Sequence, residues 1–142
     1  MLSKQDIEDT LSKTLLPAPS VIYYFTNAEI SLKDRPNTLV RGIQKSGADA
    51  IYLNAKSPKS TVLHETIHNV GITNEQTTRL LTRILYARQT FGIIPKLRRK
   101  NVQYTEVPVS EEEKLSVLHD MGLYPENAST SDVKLVKLVL VE

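Results

Sequence analysis

The segment Thr61-Val62-Leu63-His64-Glu65-Thr66-Ile67-His68-Asn69-Val70-Gly71 decides the architecture of this chain. Ser57-Pro58 ahead of it is a helix start, with Ser57 at the cap and Pro58 at the first helical position. Gly71 is a stop residue, so the spacing predicts a helix over 58–71. Glu65 is the only Asp, Glu, Lys or Arg between Ser60 and Val70. His64 and His68 are four residues apart, which puts them on one helix face with Cβ atoms about 5–6 Å apart. Two imidazoles so placed can both reach one zinc ion at roughly 2.0–2.1 Å. Glu65 lies about 100° further round the helix, beside such an ion rather than on it. From there a carboxylate can take a proton from a zinc-bound water, whose pKa the metal lowers towards ~7.

The remaining composition isolates this pair. The chain has 142 residues, no Cys and three His, the third being His119. Without Cys, disulfide frameworks, thiolate zinc fingers, iron–sulfur clusters and cysteine nucleophiles are excluded. A metal site must then be built from His and carboxylate. The length suits a single domain over residues 1–142 and buries about two-thirds of the unfolded surface without staples. With 40% apolar and 24% charged residues, the composition is that of a globular protein and excludes a disordered or collagen-like chain. Lys plus Arg is 18 and Asp plus Glu is 16, and a net charge of +2 commits the chain to neither nucleic acid nor membrane. Residues 1–9 carry acids where a signal peptide needs an apolar core. No apolar run approaches the ~18 residues of a membrane span, so a cytoplasmic location is expected.

Outward from the His pair, the pattern predicts a helix over 3–16, capped by Ser3 with Asp6 three residues on and stopped by Pro17 and Pro19. Val21–Phe25 is a buried strand and 26–37 a loop broken by Asn27, Asp34, Pro36 and Asn37. Residues 38–44 and 48–53 are two strands joined by a hairpin loop at Lys45-Ser46-Gly47. A helix over 74–91 opens on a capping box, Thr73 with Gln76, and ends at Gly92 and Pro95. Ser110 followed by Glu111, Glu112 and Glu113 starts another helix that stops at Gly122, and Val133–Val141 is a strand. The fold class is therefore α+β: one domain with a small mixed or antiparallel sheet, the 58–71 helix beneath it, and a cleft between that helix and the sheet edge.

Over residues 48–76 the chain resembles the zincin metallopeptidases. Thr61, Val62, Leu63, Thr66, Ile67, Asn69 and Val70 satisfy the extended signature around His64-Glu65-x-x-His68. The resemblance implies that His64 and His68 are zinc ligands and Glu65 the general base. It also implies that the strand before the helix is the sheet edge along which an extended peptide docks, a mode that strand addition allows.

A catalytic zinc takes three protein ligands and keeps one position open. In the metzincin pattern Gly71 fits, but the third-ligand position is Asn74, a poor zinc ligand. In the gluzincin pattern the third ligand is a Glu on the next helix. Glu75 takes that role in a compact variant, with Gly71 letting the backbone reverse. Its rival explanation is an acid favoured by the helix N-terminal dipole. The alternative ligands are His119, Asp120 and Glu106. Tyr52, Tyr86, Tyr104, Tyr124 and His119 are candidates for stabilising the developing oxyanion.

Three functions follow as expectations. The first is a zinc-dependent peptidase acting on a peptide or protein substrate. The second is a zincin-fold metal-binding or regulatory protein without useful turnover. The third is nucleic-acid binding through Lys96-Leu97-Arg98-Arg99-Lys100, a run that in a chain of net charge +2 is more often a solvated face.

Overall fold

Local signals near the N-terminus act as their residue types require. Ser3 caps α1 (Lys4–Ser12): its hydroxyl accepts from the Asp6 amide at 3.1 Å, and the Asp6 carboxylate accepts from the Ser3 amide at 3.0 Å. The helix ends four residues earlier than its apolar spacing predicts. The Thr14 hydroxyl accepts from the Leu16 amide at 3.2 Å, a local bond that competes with the helix, and Pro17 disfavours helical backbone at Leu16. The computed structural model describes residues 2–25, 31–32, 35–39, 42–44, 49–90, 101–120 and 134–141.

The remaining elements in chain order are β1 (Val21–Phe25), β2 (Ser31–Leu32), β3 (Arg35–Leu39), β4 (Gly42–Gln44), β5 (Ala50–Asn54), α2 (Lys59–Asn69), α3 (Glu75–Thr90), β6 (Tyr104–Val107), α4 (Glu111–Asp120) and β7 (Leu135–Leu140). The fold is α+β. A five-stranded mixed sheet runs β4-β5-β1-β7-β6, with β1 and β5 parallel and every other neighbouring pair antiparallel. β2 and β3 form a separate two-stranded antiparallel sheet.

Several boundaries differ from expectation. The loop expected over 26–37 contains β2 and most of β3. Pro36 is tolerated there because a two-stranded ribbon leaves ladder positions unpaired, where the missing N–H has no partner to lose. The strand expected over 38–44 is two strands in two different sheets. The hairpin loop at 45–47 lies outside the described residues, but the hairpin pairing holds, with Gly42 opposite Leu53 and Gln44 opposite Ile51. β6 was not expected at all; it is a short edge strand ahead of Pro108, in which only Tyr104 is buried. Gly92, Pro95 and Gly122, with the basic run 96–100, lie outside the described residues.

One face of the sheet carries the main core. Ile22 and Tyr24 of β1, Ile51 and Leu53 of β5 and Leu138 of β7 cluster with Ile7 and Leu11 of α1 and Val62 of α2. These strand positions alternate, as one face of a pleated sheet demands. The opposite positions carry Tyr23 and Tyr52, paired across β1 and β5 with ring centroids 5.4 Å apart. There α4 is tied down by Glu113, which accepts from the Tyr23 hydroxyl at 2.8 Å and from the Lys137 ammonium at 2.6 Å. β5 is buried along its whole length, as a strand between two neighbours with both faces covered must be. β5 is thus not the sheet edge, contrary to expectation; β4 takes that place. Among the described residues no helix is long and apolar enough to cross a membrane.

Candidate metal centre

The helix carrying the His pair begins one residue late. Pro58 occupies the cap position in extended conformation, φ −68° and ψ 160°, and Ser57 precedes it. Val62, Leu63, Thr66 and Ile67 face inward and bury the helix, which leaves His64 and His68 half-buried on its flank. At the C-terminal end, Asn69 donates to Asp49 at 2.8 Å, and Ser20 donates to the other Asp49 oxygen. This ties the end of α2 to the start of β1 and the approach to β5.

Gly71 ends α2 in a Schellman motif. Its φ is +103°, the Gly71 amide donates to the His68 carbonyl at 3.0 Å, and the Ile72 amide donates to the Ile67 carbonyl at 3.4 Å. The reversal brings α3 back beside α2. Asn74, rather than the expected Thr73, caps α3: its side-chain oxygen accepts from the Thr77 amide at 2.9 Å. Asn is among the strongest capping residues and sits one residue nearer the helix, so Thr73 is left outside. Asn74 is thereby a cap and not a ligand, and Glu75 becomes the first residue of the helix.

A Cβ at Gly71 would meet nothing within 4 Å, so a substitution there is opposed by backbone conformation alone. Gly71→Ala is expected to lower stability by about 1–2 kcal/mol, the usual cost of left-handed backbone for a residue with Cβ. Urea unfolding measures it; an unchanged midpoint would contradict the role given to Gly71.

The turn has a chemical consequence. The Ile72 carbonyl lies 2.7 Å from His68 Nδ1. A carbonyl only accepts, so Nδ1 donates there, which leaves Nε2, facing Glu75, as the nitrogen that could ligate a metal. Nε2 of His68 is 2.6 Å from Glu75 Oε1, and Nε2 of His64 is 3.4 Å from Glu75 Oε2. The two rings meet edge to face with centroids 4.8 Å apart. One ligand atom from each of His64, His68 and Glu75 lies within 4.8 Å of the others, the one such group among the described residues.

The electrostatics suit a cation. Burial holds the His64 imidazole below its ordinary pKa, against the pull of Glu75. A neutral imidazole is the form that binds metal. Burial alone would raise Glu75, but its hydrogen bond to His68 and the charge of both imidazoles outweigh it and keep the carboxylate below the usual range. Two nitrogens and one carboxylate oxygen form a donor set that zinc accepts. The 3.4 Å between His64 and Glu75 is close to the roughly 3.3 Å separation of neighbouring ligands on a tetrahedral ion with bonds of ~2.0–2.1 Å, whereas the 2.6 Å between His68 and Glu75 is a direct hydrogen bond that a shared ion would replace.

Glu65 is 6% exposed, and its carboxylate has no hydrogen bond among the described residues. Burial pushes its pKa up to about 7, with His68 opposing and Glu75 adding to the rise. It lines a cleft of about 310 Å³ together with His64, Glu75 and Arg79. Among the described residues the walls of this cleft come from α2, α3 and Pro58, with no sheet residue among them, where a cleft between α2 and the sheet edge was expected.

The other sequence candidates do not join. Glu106 is on β6, at the far edge of the sheet from β4. His119 and Asp120 end α4, which is tied to the face bearing Tyr23 and Tyr52. Tyr52 is buried, and burial together with Asp120 pushes its pKa up to about 12. The Tyr104 hydroxyl donates to the Pro19 carbonyl at 2.6 Å, and Tyr86 is not among the cleft residues. Tyr124 lies outside the described residues. Arg79 was missed; its signal is position, one helical turn beyond Glu75 and so on the same face of α3. In comparisons with protein families, with curated proteins and with solved structures, nothing matches this chain.

Proposed function

We propose that this chain is a zinc-dependent metallopeptidase, a compact gluzincin-like zincin in which His64, His68 and Glu75 hold the ion and Glu65 is the general base. One observation carries the reading: ligand atoms of His64, His68 and Glu75 lie within 4.8 Å of one another, and His64 and Glu75 line one cleft with the buried, unbonded carboxylate of Glu65. A bound zinc ion would supply Lewis acidity, polarising the scissile carbonyl and acidifying a water. The chain's own residues do the rest. Glu65, buried and lining the cleft beside His64 and Glu75, accepts the water proton as hydroxide adds to the carbonyl carbon. It then gives that proton to the amide nitrogen as the C–N bond breaks and the amine leaves. The Ile72 carbonyl holds the His68 ring in the tautomer that ligation needs.

The test is metal content with activity. Purified protein incubated with zinc and then desalted is expected to retain one equivalent by elemental analysis. It should cleave members of a mixed quenched-fluorescence peptide library, lose that activity to 1,10-phenanthroline and regain it with added zinc. Protein that holds no stoichiometric metal overturns the reading. A second reading, a metal-binding protein without useful turnover, draws on the cleft volume of about 310 Å³, at the lower end for small-molecule sites. One bound equivalent with no cleavage of any library member would select it.

A further inference from the structure

Beyond the site's own residues, the cleft is lined by Pro58, Ser60, Thr61, Arg79 and Thr82. Pro58 is the one apolar side chain in that set. Among the described residues the cleft has no hydrophobic specificity pocket, so selection there falls to hydrogen bonds and charge. Among the described residues Arg79 is its only Lys or Arg.

Arg79 is 69% exposed and its charge is barely engaged. Nε lies 3.7 Å from Glu75 Oε2, beyond hydrogen-bond reach, and no other ion pair or hydrogen bond of Arg79 occurs among the described residues. An exposed i,i+4 contact of this kind stabilises a helix only slightly. The terminal nitrogens are left as a planar fork, the geometry that takes a carboxylate through two parallel hydrogen bonds. The fork is also close to the ligand atoms, because Glu75 Oε2 is the oxygen that lies 3.4 Å from His64 Nε2. Successive Cα atoms of a bound peptide are about 3.8 Å apart. A carboxylate on Arg79 and a peptide bond beside His64 and Glu75 are thus a residue or so apart along one substrate.

We propose that Arg79 is a specificity residue that grips a carboxylate of the peptide substrate, either its free C-terminus or an Asp or Glu side chain, beside the bond to be cleaved. The proposal rests on the peptidase reading and narrows the substrate class to peptides anionic at that position.

The experiment uses zinc-loaded Glu65→Gln protein, in which substrate stays intact, and four fluorescein-labelled tripeptides. These are a neutral peptide with free C-terminus, the same peptide amidated, and amidated versions carrying Asp or Asn at one position. Fluorescence anisotropy is expected to show at least about tenfold tighter binding of a carboxylate-bearing peptide than of its neutral partner. The pair that carries the preference tells a C-terminal from a side-chain carboxylate. Arg79→Gln in the same background should abolish the preference while keeping one equivalent of zinc and unchanged affinity for the amidated neutral peptide. Arg79→Lys, with charge but no fork, should keep a reduced preference. Equal affinity for all four peptides, or a preference that survives Arg79→Gln, overturns the role of Arg79 and leaves the peptidase reading standing. Zinc binding with no affinity for any of the four overturns the role of Arg79, and cleavage of the mixed library then decides the peptidase reading separately.

Discussion

Glu65→Gln is expected to keep one equivalent of zinc and to lower peptide hydrolysis by roughly 10²–10⁴-fold, the usual contribution of a positioned general base. The size of the effect follows from where the carboxylate sits. Glu65 is 6% exposed, faces the cleft, and has no structural partner among the described residues whose loss would disturb the fold. Gln has nearly the same shape, cannot accept and return a proton at that site, and removes a buried ionisable group. Stability should therefore hold or rise slightly while turnover falls. Steady-state cleavage of a quenched-fluorescence peptide, with elemental analysis and thermal unfolding on the same sample, checks all three. Hydrolysis within a few-fold of wild type would remove Glu65 from the chemistry and with it the zincin mechanism.

Glu75→Ala should lower zinc affinity by at least about 100-fold. Changing an outer partner of a metal ligand already costs 10–100-fold, and Glu75 is a direct ligand in this reading. Its side chain is 55% exposed, so truncation leaves no cavity. The fold is held elsewhere, by the Schellman turn at Gly71 and by the Asn74 cap. Competition with a colorimetric zinc chelator measures the loss, and circular dichroism shows that the helices persist. Affinity unchanged in Glu75→Ala would assign the third ligand to another residue and break the gluzincin-like reading. It would leave the His pair in place.

Part of this site was legible in the chain because it depends on neighbours in sequence. Two His at helical spacing must share a face wherever the helix packs. Gly71 tolerates the positive φ that a Schellman turn needs, and Glu75 follows it by four residues, so the acid returns towards the pair. The cap at Ser3 was legible for the same reason, being a contract between residues three apart. The start of α3 differs by one residue because two capping types compete, Thr73 against Asn74, whereas α2 starts one residue late with Pro58 at the cap position and no side-chain cap bond. The strand over 38–44 was misjudged because its halves look alike in composition yet pair in different sheets.

Some properties had no local signature. The position of β5 in the sheet depends on β4 and β1 closing on it from both sides, and its composition is equally that of a buried edge strand. The separation of Glu106, His119 and Asp120 from the His pair is a matter of sheet order and of which face α4 covers. The burial that raises Glu65 towards neutrality comes from packing around α2. The part played by Arg79 needed α3 folded back against α2 before its one-turn offset from Glu75 meant anything. The amino-acid sequence by itself thus determined the helix, its two imidazoles, its carboxylate and the glycine that turns the chain, since these rest on helical geometry and backbone sterics over a few residues. Only the tertiary structure decided that Glu75 meets both imidazoles, that Glu65 is buried beside them and that Arg79 shares a cleft with His64, Glu65 and Glu75, because such distances and dielectric surroundings are set by packing between elements remote in the chain.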